Sequence, residues 1–215
     1  MRQLLLSVVM LVGLGCSIAP DLPDVSDPNV LTAVLATVRV ACLDGEGHEV
    51  GSGSGVLIND GVVLTCRHLN NLRAGVVGFR IMDVTGATTL AKVGKSGGHD
   101  WMTLIPEKKL GKPVLVPHGR KRRDFEDCFA LGYPVGLNQM TLTKGQIQPF
   151  EGKLARISAP IAPGNSGGGA WLPSPTGKPA LTGLTAAIFL GNGTPYAHMA
   201  VLVPIETIDQ EGGLE

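Results

Sequence analysis

Hydrophobic positions come in short, closely spaced runs along most of the chain. Val34–Cys42 is an apolar run rich in β-branched residues, and Gly53–Ile58 and Val62–Thr65 are two more. The last two are split by Asn59-Asp60-Gly61, residue types that tolerate the left-handed backbone of a tight hairpin turn. Val76–Met82, Thr89–Val93 and Trp101–Ile105 continue the pattern. Residues Pro106–Arg123, rich in proline and basic side chains, then cross to a second set. That set comprises Cys128–Tyr133, Gly145–Pro149, Lys153–Ser158, Gly168–Leu172, Ala180–Leu190 and Ala197–Val203. Only Ile205–Gln210 reads as a short helix. Strands at short, regular spacing with tight turns predict two packed sheets or barrels, and pattern alone does not choose between them.

The first residues carry a different signal. Arg2 precedes the uncharged run Leu4–Leu14, which is short for a bilayer span and fits a signal-peptide core. Gly15-Cys16-Ser17 at its end resembles a bacterial lipoprotein signal, although Gly13 stands where such signals favour leucine. Residues 1–16 are therefore expected to be a leader with Cys16 as the lipidation site. Ordinary secretory cleavage and an uncleaved anchor are the alternatives. Residues 17–30, with Pro20, Pro23 and Pro28 and no apolar periodicity, are expected to be an extended tether. The expected location is therefore outside the bacterial cytoplasm, in the periplasm or cell envelope, with membrane contact only through the lipid.

Composition narrows the partners. Of 215 residues 44% are apolar, which suffices for a core, and 30 glycines and 15 prolines suit many turns. Lys plus Arg equals Asp plus Glu at 18 each, so no net charge draws nucleic acid or anionic lipid. The basic run Arg120–Arg123 reads as a solvated loop. Beyond Cys16 the cysteines are Cys42, Cys66 and Cys128. Export permits a disulfide, and Cys42 with Cys66, in one half of the chain, is the candidate pair; three free buried thiols is the alternative. The histidines are scattered and no Cys-x-x-Cys occurs, so neither metal nor cofactor is expected.

Three segments carry the chemistry. The first is Gly53-Ser54-Gly55, leading through the hairpin to Thr65-Cys66-Arg67-His68. The second is His99-Asp100-Trp101, opening an apolar strand. The third is Ala162-Pro163-Gly164-Asn165-Ser166-Gly167-Gly168. Each has an ordinary reading as a turn or capping sequence. Together, in the order His, Asp, Ser, they resemble the trypsin-like serine peptidases, and most closely the HtrA/Deg-type bacterial members. The similarity runs from Val34 to Ile208. It includes Gly132-Tyr133-Pro134, Gly183–Ile188 and Leu202-Val203-Pro204-Ile205.

The resemblance implies an all-β fold: two six-stranded antiparallel β-barrels over residues 31–112 and 113–215, with the active site in the cleft between them. It implies Ser166 as nucleophile, His68 as base and Asp100 as orienter. The oxyanion would be held by backbone N–H groups of the Gly164, Asn165, Ser166 turn. Glycine at 164 allows the backbone conformation that such a donor needs. The specificity pocket would be walled by Pro160 and Ile161 before the serine and by Thr185, Ala186 and Ala187. Pro160 stands where a pocket for Lys or Arg has a carboxylate, so a small or aliphatic residue is expected before the cut. His198 could instead reach in and read an acidic side chain. Asn165 replaces the aspartate of the digestive members, whose charge pairs with a freed N-terminus, so no such activation is expected. The chain stops shortly after the last strand, so no PDZ module is expected, and the oligomeric state is left open.

The expected partner is thus a polypeptide substrate. A catalytically inactive relative serving as a binding protein is the main alternative. An esterase of another fold is the second, since Gly164–Gly168 formally satisfies Gly-x-Ser-x-Gly. However, strand-like residues follow the serine and no βαβ alternation is visible.

Overall fold

The computed structural model describes residues 25–71, 75–114, 122–135, 137, 139–149, 152–191 and 194–214. For 188–191 and 194–198 it describes backbone only. The leader, Cys16 and most of the expected tether lie outside these residues. Among the described residues no helix is long and apolar enough to cross a membrane.

The first element differs from the strand expected at Val34. Residues Pro28–Ala36 form helix α1. Asp27 caps it by accepting the Asn29 N–H at 2.8 Å, and Pro28 supplies the fixed φ of a first helical turn. The apolar residues 33, 34 and 36 are therefore buried by helical rather than strand spacing. Residues 28–30, expected as the end of the tether, belong to this helix.

Six strands then close one barrel: β1 (Thr37–Leu43), β2 (Glu49–Ile58), β3 (Val62–Thr65), β4 (Gly78–Met82), β5 (Thr88–Ser96) and β6 (Met102–Pro106). Six more close a second: β7 (Asp127–Gly132), β8 (Thr141–Gln148), β9 (Ala155–Ile157), β10 (Gly169–Leu172), β11 (Ala180–Gly191) and β12 (Thr194–Pro204). All ladder pairs within both barrels are antiparallel. The Asn59-Asp60-Gly61 turn joins β2 to β3 with Ile58 opposite Val62, and Asp60 and Gly61 both have positive φ. A short helix, α2 (Ile205–Gln210), closes the fold where a helix was expected.

Three apolar clusters explain why several strands read as unbroken hydrophobic runs. Val38, Val40, Leu57, Val63, Phe79, Met102 and Leu104 fill the first barrel. Ala130, Ile147, Ile157, Ala170, Leu172 and Leu202 fill the second. A third cluster draws on both barrels, with Val56, Ile58, Leu64, Trp101, Phe129, Leu131, Trp171 and Leu184. Successive residues of one strand, such as Leu57 and Ile58 or Ala130 and Leu131, thus enter different cores. Side chains alternate across a strand, so both faces must be apolar where a barrel wall also meets its neighbour.

The candidate disulfide is not formed: Cys42, Cys66 and Cys128 are free thiols and all are buried. Cys42 stands in β1 opposite Gly51 and Phe79, whereas the Cys66 thiol donates to the Thr185 carbonyl of the second barrel at 3.3 Å.

Candidate active site

His68 lies in the 3₁₀ segment Arg67–Asn71 that follows β3. Asp100 lies in the turn between β5 and β6. Strands β3 and β6 are paired, Thr65 opposite Met102, so the two residues leave the same end of the barrel side by side. The Asp100 carboxylate takes two contacts from His68: the backbone N–H donates to Oδ1 at 2.8 Å, and ring Nδ1 lies 2.6 Å from Oδ2. Burial opposes ionisation of this carboxyl. The His68 hydrogen bonds, the His68 charge and the Arg67 guanidinium outweigh it and hold Asp100 below the usual carboxylate range. An ionised Asp100 keeps the proton on Nδ1 and leaves Nε2 as the basic nitrogen.

Ser166 sits on a tight turn of the second barrel that packs against the first. Its carbonyl accepts the Ser54 N–H at 2.8 Å. The next residue, Gly167, has φ +85° and donates its N–H to Thr185 at 2.7 Å. A Cβ at Gly167 would collide with the Thr65 hydroxyl and the Ser54 carbonyl and stand 2.9 Å from the Cys66 nitrogen. The serine turn therefore rests on the Thr65-Cys66 end of β3, two residues before His68. The Ser166 hydroxyl makes a long 3.5 Å hydrogen bond to the Ala186 carbonyl. A bond of that length is weak and holds the hydroxyl lightly.

The turn before the serine is the one from which an oxyanion hole is expected. Gly164 has φ +93°, and a Cβ there would collide with Val135 N and Tyr133 O. Only glycine fits on both counts. Among the described residues no hydrogen bond engages the N–H of Gly164 or Ser166. The Asn165 N–H is engaged: it donates to the Ala162 carbonyl at 3.0 Å. Asn165 thus leaves the donor set expected from sequence, and its side chain is buried under the turn.

Ser54, quoted above only as part of a Gly-Ser-Gly run, binds this turn to the rest of the protein. Its buried hydroxyl donates to the Gly164 carbonyl at 2.8 Å and accepts the Tyr133 N–H at 2.8 Å. Sequence reasoning missed this role because both partners are on the other barrel. Thr185, expected as pocket wall, is fully buried and turns its hydroxyl to the carbonyls of Asn165 at 2.5 Å and Gly168 at 3.2 Å. It supports the serine turn instead. Pro160 and Ala187 are exposed, and Ile161 and Ala186 half-buried. The His198 side chain lies outside the described residues.

Cys66 Sγ, His68 and Asp100 offer ligand atoms within 4.8 Å of one another. Burial first, and the Asp100 charge second, push the Cys66 thiol well above its usual range.

A family model described as a trypsin-like peptidase domain matches residues 53–177. No curated protein matches the chain. Among solved structures, the active form of the Rv3671c protease from M. tuberculosis superposes with a TM-score of 0.69 at 19% identity, covering 86% of this chain and 82% of that one. The serine endoprotease from Yersinia pestis gives 0.72 at 24% identity, covering 89% and 67%. The HtrA-type protease AlgW with a tripeptide gives 0.70 at 24% identity, covering 85% and 60%. At these identities the likenesses establish the double-barrel fold.

Proposed function

The chain belongs to the trypsin-like peptidase family and is a serine endopeptidase; from that premise we propose that Ser166, His68 and Asp100 form its catalytic triad. The observation that carries this reading is the double contact of Asp100 with His68, at 2.8 and 2.6 Å, beside a serine turn resting on the same strand end.

His68 Nε2 takes the Ser166 proton as Oγ adds to the scissile carbonyl carbon. Charge develops on the carbonyl oxygen and is met by the N–H groups of Gly164 and Ser166, each worth roughly 3 kcal/mol in such sites. The imidazolium, steadied by Asp100, protonates the leaving amine as the C–N bond breaks. This leaves an acyl ester on Ser166. Water then gives a proton to His68 and adds to the ester, and the acid departs as the proton returns to Oγ. Pro160, Ile161, Ala186 and Ala187 offer no charge, so residues with small or aliphatic side chains are favoured before the cut.

A fluorophosphonate probe should attach covalently at Ser166, and Ser166→Ala should lose both labelling and on the order of a million-fold in turnover. In a peptide panel varied at the residue before the cut, Ala, Val or Leu should lead. Absence of labelling in the wild type would favour an inactive, binding relative, and preference for Arg would overturn the pocket assignment.

A further inference from the structure

Asp100 is held in place from both sides by a segment far away in sequence. The turn that carries it is narrow: the Trp101 N–H donates to the His99 carbonyl at 2.7 Å, across Asp100. His99 and Trp101 both reach Glu211, the residue just after α2. His99 Nδ1 lies 2.6 Å from Glu211 Oε1, and the His99 backbone N–H donates to Oε2 at 3.3 Å. The Trp101 indole N–H donates to the same Oε2 at 2.5 Å. The contact of His99, then that of Trp101, hold the Glu211 carboxyl down at about 2, so it is ionised throughout the range in which a histidine base works.

The surroundings leave this clamp little slack. Trp101 is fully buried and packs with Ile208 and Leu214. A Cβ at Gly213 would come within 2.8 Å of the indole, and one at Gly97 would collide with both the indole and the Glu211 carboxylate. Lys95 Nζ donates to the Gly212 carbonyl at 3.3 Å, and Arg67 Nη1 donates to the Gly97 carbonyl at 2.7 Å. Arg67, the residue preceding His68, thus holds the same β5–β6 connection.

We propose that Glu211 is a positioning residue for the triad: its carboxylate binds the two residues that flank Asp100 and so fixes the carboxylate against His68. This rests on the reading of Asp100 as the orienter. The two Asp100 oxygens each have their own His68 donor, so a shift of the turn breaks both contacts together. A displacement of about 1 Å at a positioned catalytic group lowers rates by up to roughly a hundredfold.

The test compares wild type, Glu211→Gln, Trp101→Phe and the double variant in full-length protein. Readouts are kcat, KM, the pH–rate profile, fluorophosphonate labelling and thermal melting. Glu211→Gln loses the charge, and Trp101→Phe removes one donor while keeping a smaller aromatic ring in the buried position. Each should lower kcat roughly ten- to a hundredfold, leave KM within about twofold, and move the acid limb of the profile to lower pH, because a loosened Asp100 no longer favours the imidazolium. The double variant should be no slower than the worse single one. A folded Glu211→Gln with wild-type kcat and profile overturns the proposal, and if that variant fails to fold, a wild-type profile in Trp101→Phe does so. Failure of the wild type to label or cleave ends the triad reading, and the clamp with it.

Discussion

At the scale of single residues, the Asp100 carboxylate is the group whose ionisation matters most. Its folded pKa lies below its ordinary value, so it contributes stability above the unfolded value of about 3.9 and loses that contribution as pH falls through the lower folded value. Asp100→Asn should therefore be less stable than wild type at neutral pH, with the gap closing below about pH 4 in urea unfolding. Its turnover at neutral pH should fall on the order of 10⁴-fold, because an amide no longer specifies the Nδ1–H tautomer. An unchanged gap at acid pH would mean that the carboxylate charge is not what stabilises. The three triad candidates are proposed from local signals: glycines around a serine, a Thr-x-x-His strand end, and an aspartate opening an apolar strand. The Asn165 and Thr185 assignments were less legible. An N–H engaged by Ala162 and a hydroxyl turned under the serine turn are set by partners that spacing does not reveal.

At the scale of elements, the site depends on loops of one barrel being fastened to strands of the other. Ser54 of β2 does this with one hydroxyl, donating to Gly164 O and accepting from Tyr133 N. Ser54→Ala leaves both buried groups without that partner and should lower stability by roughly 1–3 kcal/mol. If Gly164 serves as the proposed oxyanion donor, the substitution should also lower kcat more than it raises KM, because a loosened turn misplaces a donor needed chiefly in the transition state. Measuring both constants, with a denaturant melt, checks the two halves separately; a variant with full kcat would show that the turn holds itself. Most strands and α2 were legible because their apolar runs end in turn residues. Helix α1 was not: its β-branched residues read as strand, and the Asp27-Pro28 start signal was assigned to a tether.

At the scale of the whole molecule, two barrels and a shared apolar cluster hold the chain together without a disulfide between Cys42, Cys66 and Cys128. Adding reductant should leave the melting temperature unchanged, read by calorimetry with and without dithiothreitol. A drop of several degrees would reveal a bridge. The sequence by itself determined what local chemistry can encode: the strands, the hairpin turn, the flexible glycines of the serine turn and the order of the three reactive side chains. Only the tertiary structure decided which groups meet. The bond from Ser54 to Gly164 and the clamp from Glu211 to His99 and Trp101 join residues 110 to 112 positions apart. Such pairings arise from barrel closure and packing between barrels, and no periodicity along the chain records them.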